Sequence, residues 1–90
     1  MLKILLIDDD ERLAELLTQY FERFSLDLVC AETPSEGFSK LNQDGYDLVI
    51  LDVMLPEMDG FEVCKQIRKE SDTPIIMLTA RGEVMDRVIG

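Results

Sequence analysis

The stretch Leu48-Val49-Ile50-Leu51-Asp52 constrains this chain more than any other, because four apolar residues in a row stop abruptly at a carboxylate. Such a run is too short for a helix with one buried face, but it suits a strand covered on both faces of a parallel sheet. In open α/β sheets, ligands sit in the crevice beyond the C-terminal ends of the strands, where strand order reverses. Asp52 is therefore expected at a ligand site.

The neighbouring segments repeat this logic. Ile4 to Ile7 reads as a first buried strand and is followed by Asp8, Asp9 and Asp10. Leu13, Leu16, Leu17, Tyr20, Phe21 and Phe24 then recur at helical spacing and form one apolar stripe. Leu26 to Ala31, interrupted by Asp27, suits an edge strand. Thr33-Pro34-Ser35-Glu36 opens a second helix: Thr33 can accept from the Glu36 amide, Pro34 suits the first turn, and Glu36 can return the bond as a capping box. Phe38 and Leu41 give this helix a thin apolar face and Gly37 weakens it, so it should be short. After the Asp44-Gly45 turn and the central strand, Phe61 to Arg68 predicts a third helix with Phe61, Cys64 and Ile67 inward. Ser71 to Pro74 breaks it, Ile75 to Thr79 is a fourth strand, and Glu83 to Ile89 predicts a last helix with Val84 and Val88 inward. Strand and helix alternate, which implies an α/β doubly wound parallel sheet with helices on both faces.

Ninety residues allow one small domain. Its 19 acidic and 9 basic residues give a net charge of -10, which argues against nucleic-acid binding through this stretch. No apolar run approaches membrane-spanning length. Cys30 and Cys64 lack metal-ligand spacing and the chain has no His, so reduced core thiols of a cytoplasmic protein are expected.

Three strands thus deliver polar groups to one edge of the sheet: Asp8, Asp9 and Asp10 from the first, Asp52 from the third and Thr79 from the fourth. Each alone could cap a helix or open a turn. Together the carboxylates repel one another unless a cation or a proton intervenes. Hard oxygen donors of this kind suit Mg²⁺, which takes one or two carboxylates, waters and a phosphate oxygen. A carboxylate beside Mg²⁺ with a hydroxyl nearby is a competent phosphoryl acceptor.

The motifs Leu6-Ile7-Asp8-Asp9-Asp10, Leu51-Asp52-Val53-Met54-Leu55-Pro56-Glu57-Met58-Asp59-Gly60 and Met77-Leu78-Thr79-Ala80 resemble the receiver domain of two-component response regulators, with its CheY-like, flavodoxin-like fold. The tail from Thr79 to Gly90 is similar to the OmpR/PhoB type. The resemblance implies that Asp52 is the phosphoacceptor and that Asp8 and Asp9 form the acidic pair. It also implies that Met54 offers Mg²⁺ a backbone carbonyl, that Thr79 is the phosphate-sensing hydroxyl, and that Met54 and Arg81 tune dephosphorylation. A sensor histidine kinase is the implied donor, phosphorylation is implied to drive homodimerisation, and a winged-helix DNA-binding domain is implied beyond this stretch.

The family's sheet has the order 2-1-3-4-5, and these residues are expected to lack its fifth strand, the Lys at that strand's end and the fifth helix. The fourth strand would then expose an unpaired edge, so self-association or exchange of elements is expected. Asp86 and Arg87 are candidate pairing charges on the last helix. Two rival readings are a pseudo-receiver that only mediates interactions, and a haloacid dehalogenase-type phosphatase using Asp8 as nucleophile and Asp10 as acid.

Overall fold

The structure, a computed structural model, describes residues 2–53, 55 and 57–78, together with the backbone of residues 84–87. Strands β1 (Lys3–Ile7), β2 (Asp27–Ala31), β3 (Leu48–Asp52), β4 (Ile75–Leu78) and β5 (Val84–Arg87) form one sheet in the order β2-β1-β3-β4-β5. The first four run parallel, and β2 lies at one edge as its interrupted pattern suggested. Helices α1 (Glu11–Glu22), α2 (Pro34–Gln43) and α3 (Gly60–Arg68) make the crossovers.

Period-two alternation divides the strands between two apolar layers. Leu5, Ile7, Val49, Leu51, Ile75 and Met77 pack with Val63, Cys64 and Ile67 of α3, while Phe38 and Leu41 of α2 close the same layer. On the other face Ile4, Leu6 and Ile50 meet Ala14, Leu17 and Phe21 of α1. Burying each of the larger side chains contributes roughly 1.5–3 kcal/mol. Close approach helps α2 reach the sheet: a Cβ on Gly37 would lie 2.5 Å from Cδ1 of Ile7.

Three details depart from the sequence reading. The expected α1 stripe splits, because α1 buries only the side that meets the sheet, with Ala14, Leu17 and Phe21 on it. Leu16, Tyr20 and Phe24 remain more than half exposed, with the Tyr20 and Phe24 rings in tilted contact at 5.1 Å between centroids. In α3 the fully buried position belongs to Val63, whereas Phe61 is 38% exposed. At α2, Thr33 accepts from the Glu36 amide as expected, but Glu36 reaches past the cap and accepts from the Glu32 amide at 2.7 Å.

The largest correction concerns Glu83 to Ile89, where a helix was expected. Val84–Arg87 is instead a strand, antiparallel to β4, with Ile75 opposite Arg87 and Leu78 opposite Val84. The unpaired edge of β4 was expected to be met by another copy or an exchanged element, but the segment that follows β4 returns as a strand and satisfies those donors and acceptors within the chain. The outer edge of β4 is therefore covered, and self-association through that edge loses its premise. The doubly wound parallel arrangement itself is as expected.

The C-terminus of α1 carries the one non-glycine residue with positive φ among the described residues, Ser25 at 58°. The Leu26 amide donates to the Phe21 carbonyl and the Ser25 amide to the Glu22 carbonyl, the two bonds of a Schellman motif with Ser25 in the left-handed position. A side chain costs roughly 1–2 kcal/mol there, partly offset by the greater freedom glycine has when unfolded. Ser25→Gly is expected to raise stability by about 0.5–1 kcal/mol in urea unfolding, and a loss of stability would refute the strain.

Candidate metal centre

Register brings the carboxylates together. Ile7 pairs with Leu51 in adjacent parallel strands, so Asp8 and Asp52 emerge side by side at the C-terminal edge of the sheet. The Asp8 amide donates to the Ala31 carbonyl and the Val53 amide to the Leu78 carbonyl, which fixes both strand ends against their outer neighbours. Asp9 follows Asp8 on the turn into α1. One oxygen from each of Asp8, Asp9 and Asp52 can be chosen so that all three lie within 4.8 Å of one another.

Asp10 does not join this trio. Its side chain caps α1, accepting from the Arg12 and Leu13 amides at 3.0 and 3.2 Å. The Asp10 amide in turn donates to Oδ1 of Asp8 at 2.9 Å, which orients that carboxylate. Because an uninterrupted helix begins here with Asp10 as its cap, Asp10 is engaged otherwise than as a general acid beside Asp8.

Asp8 is only 5% exposed, while Asp9 lies at the surface. Burial holds the Asp8 carboxyl above its ordinary range, the Asp10 amide works against that rise, and the charges of Asp52, Asp9 and Asp10 add to it. Three carboxylates converge here, one of them desolvated, and like charges held this close disfavour one another's ionisation. A small hard cation fits this donor set.

The β3–α3 loop leaves directly from Asp52 and is held at several points. The Gly60 amide donates to the Val53 carbonyl at 2.7 Å, and Asp59 caps α3 by accepting from the Glu62 amide. A Cβ on Gly60 would stand 2.5 Å from the Asp52 carbonyl oxygen and 2.8 Å from Cα of Val53, so only glycine lets α3 start this close to the strand end. Glu57 reaches across to α2, where its Oε1 accepts from the Ser35 amide at 2.9 Å and from the Ser35 hydroxyl at 2.7 Å. The two donors hold the Glu57 carboxyl below its ordinary range. Sequence reasoning missed the Ser35–Glu57 pair, since nothing in local spacing links residues 22 positions apart.

Met54, Thr79 and Arg81, also expected at this edge, lie outside the described residues. Asp86 and Arg87 fall on β5 instead of on a helix. The opposite end of the sheet is a different environment. There Lys3 pairs with Asp44 at 3.1 Å and sits 5.0 Å over the Tyr46 ring, and a recess of about 460 Å³ opens between the C-terminal ends of α2 and α3. None of the clustered carboxylates lines that recess. Cys30 and Cys64 are free thiols, half-buried and buried.

Comparison with known proteins identifies the family. The sequence pattern described as response regulator receiver domain matches residues 4–90. A CpxR homolog of Haemophilus influenzae, described as a transcriptional regulatory protein, is 50% identical over 90 residues, covering 100% of this chain and 39% of the relative. ResD of Bacillus subtilis, another transcriptional regulatory protein, is 49% identical over 88 residues, covering 98% and 37%. The chain thus spans well under half the length of these relatives.

Among solved structures, the response regulator TrrA of Thermotoga maritima in complex with Mg²⁺ and BeF superposes with a TM-score of 0.82 at 40% identity, over 89% of this chain and 70% of that one. TrrA in complex with the histidine kinase ThkA gives 0.85 at 38% identity, over 92% and 72%. Sequence and backbone agree, and on them this chain belongs to the response regulator receiver domain family.

Proposed function

We propose that Asp52 accepts a phosphoryl group from the phosphohistidine of a sensor histidine kinase and that this modification switches a transcription-regulating output. The observation that carries this reading is the convergence of Asp8, Asp9 and Asp52 at the C-terminal edge of the sheet. Kinase partnership draws support from the receiver solved with its histidine kinase. Transcriptional output, a winged-helix DNA-binding domain beyond these residues and cytoplasmic location draw support from the transcriptional regulators that resemble the chain. Homodimerisation on phosphorylation belongs to the same reading.

In the transfer, a carboxylate oxygen of Asp52 attacks phosphorus, the P–N bond to the histidine breaks, and the imidazole leaves with that electron pair. Mg²⁺ would be held by Asp8, Asp9, Asp52 and the Met54 carbonyl and would neutralise charge on the phosphoryl oxygens. Asp8, oriented by the Asp10 amide, keeps an oxygen aimed at the cluster. Thr79 receives a phosphoryl oxygen through its hydroxyl, and Met54 and Arg81 set how readily water reaches the product.

Intact-mass spectrometry of the full-length protein after incubation with acetyl phosphate tests this. The expected result is one phosphoryl adduct that requires Mg²⁺ and is lost in Asp52→Asn. No adduct in the wild type would favour the pseudo-receiver reading, and an adduct retained in Asp52→Asn would remove Asp52 as the acceptor.

A further inference from the structure

The β3–α3 loop is the segment that joins Asp52 to α3, and its side-chain hydrogen bonds to α2 among the described residues are the two of the Ser35–Glu57 contact. The contact is built from complementary parts. Ser35 occupies the second position of α2, where its amide has no partner within the helix and the helix dipole favours a negative group. Glu57 supplies that group from the loop, and a single oxygen takes both the amide and the hydroxyl of Ser35. Thr33 already caps the helix by accepting from the Glu36 amide, so Glu57 completes the N-terminus from outside α2.

The neighbours of Glu57 bear on what the contact does. Leu55 and Met58 rest half-buried on the α2/α3 layer, and Met58 Sδ lies 3.9 Å from the Gln66 side-chain amide. These contacts are apolar or to sulfur and carry little directional preference. Among the described residues, hydrogen bonds hold the ends of the loop, at Val53, Asp59 and Gly60, and the Glu57–Ser35 pair holds its middle. Between Asp52 and Glu57 lies Met54, whose backbone carbonyl completes the metal set in the reading proposed above.

We propose that Glu57 and Ser35 form a latch that positions the β3–α3 loop for metal binding. Glu57 is a positioning residue: it touches Ser35, and through Ser35 it fixes the loop that leaves Asp52. Closing the latch ties the loop that leaves Asp52 to the N-terminus of α2, and opening it weakens Mg²⁺ binding without altering any of the three carboxylates. The inference rests on the function proposed above, because it presumes a metal at the trio.

Calorimetric titration with Mg²⁺ on the full-length protein, paired with thermal melting, separates the two ideas. Ser35→Ala and Glu57→Ala are each expected to raise the Mg²⁺ Kd by about tenfold, the lower end of what supporting partners of metal ligands contribute. The double variant should be no weaker than either single one, and Ser35→Thr, which keeps both donors, should bind as the wild type does. Melting temperatures without metal guard against a merely structural role, which would lower them and leave Kd unchanged. Unchanged Kd in both alanine variants, or additive losses in the double variant, overturns the latch while leaving the proposed function standing. A wild-type protein that shows no Mg²⁺ binding overturns the proposed function and the latch with it.

Discussion

Gly60→Ala is expected to destabilise the protein by about 1–3 kcal/mol, the range for forcing atoms into a packed site, and to weaken Mg²⁺ binding at the same time. For a domain of this size that corresponds to a fall in melting temperature of roughly 4–8 °C per kcal/mol. The new Cβ would meet backbone on two sides, the Asp52 carbonyl oxygen at 2.5 Å and Val53 Cα at 2.8 Å, and neither can rotate away. Relief requires the start of α3 or the end of β3 to move, and β3 carries Asp52. At Gly37 the clash is with the Ile7 side chain, so Gly37→Ala should cost less. Gly45 has nothing within 4 Å of its would-be Cβ and supplies the control, with a change within about 0.5 kcal/mol. Circular-dichroism melts with and without Mg²⁺ measure all three, and a Gly60→Ala protein that melts with the wild type would refute the close-approach argument.

Asp8→Asn is expected to do the opposite in the absence of metal, stabilising the fold by about 1 kcal/mol while abolishing most of the Mg²⁺-induced rise in melting temperature. Asparagine keeps an oxygen to accept from the Asp10 amide but removes a charge that is desolvated and faces Asp52 and Asp9. The pH dependence follows with a definite sign. The Asp8 carboxyl is held above its ordinary value in the folded protein and returns to that value on unfolding. Its favourable contribution is complete below the ordinary carboxylate range and is lost as pH rises through the raised folded value. Metal-free wild type should lose stability across that window, and Asp8→Asn should lose less. Melts from pH 4 to pH 8 without metal would expose the error if the two proteins followed parallel curves.

Much of the fold was legible in the sequence because four apolar runs end in polar residues and because long-range pairing follows the alternation of strands and helices. Asp8, Asp9 and Asp52 could be placed at one edge from topology alone, since neighbouring parallel strands end together. What escaped were features set by geometry between distant segments. Whether Phe61 or Val63 turns inward depends on how α3 sits on the sheet, not on spacing within α3. The Ser35–Glu57 contact depends on the path of a loop. The segment after β4 departs from the expected helix because the spacing of Val84 and Val88 fits a helix, whereas pairing with the open edge of β4 draws the same residues into a strand.

The central place of β1 carries a consequence for how the chain acquires its structure. β1 is the first strand in sequence, yet it lies between β2 and β3, and its opening residue Lys3 bonds to Asp47, 44 positions later. Its pairing with β2 can form once residue 31 is available, but its second edge stays open until β3 arrives. Loop closure of that length slows folding, and an open apolar strand is where misassociation begins. The β1–α1–β2 unit is accordingly the part of this receiver most exposed to aggregation during synthesis, and substitutions that delay β3 should reduce yield before they alter the finished site.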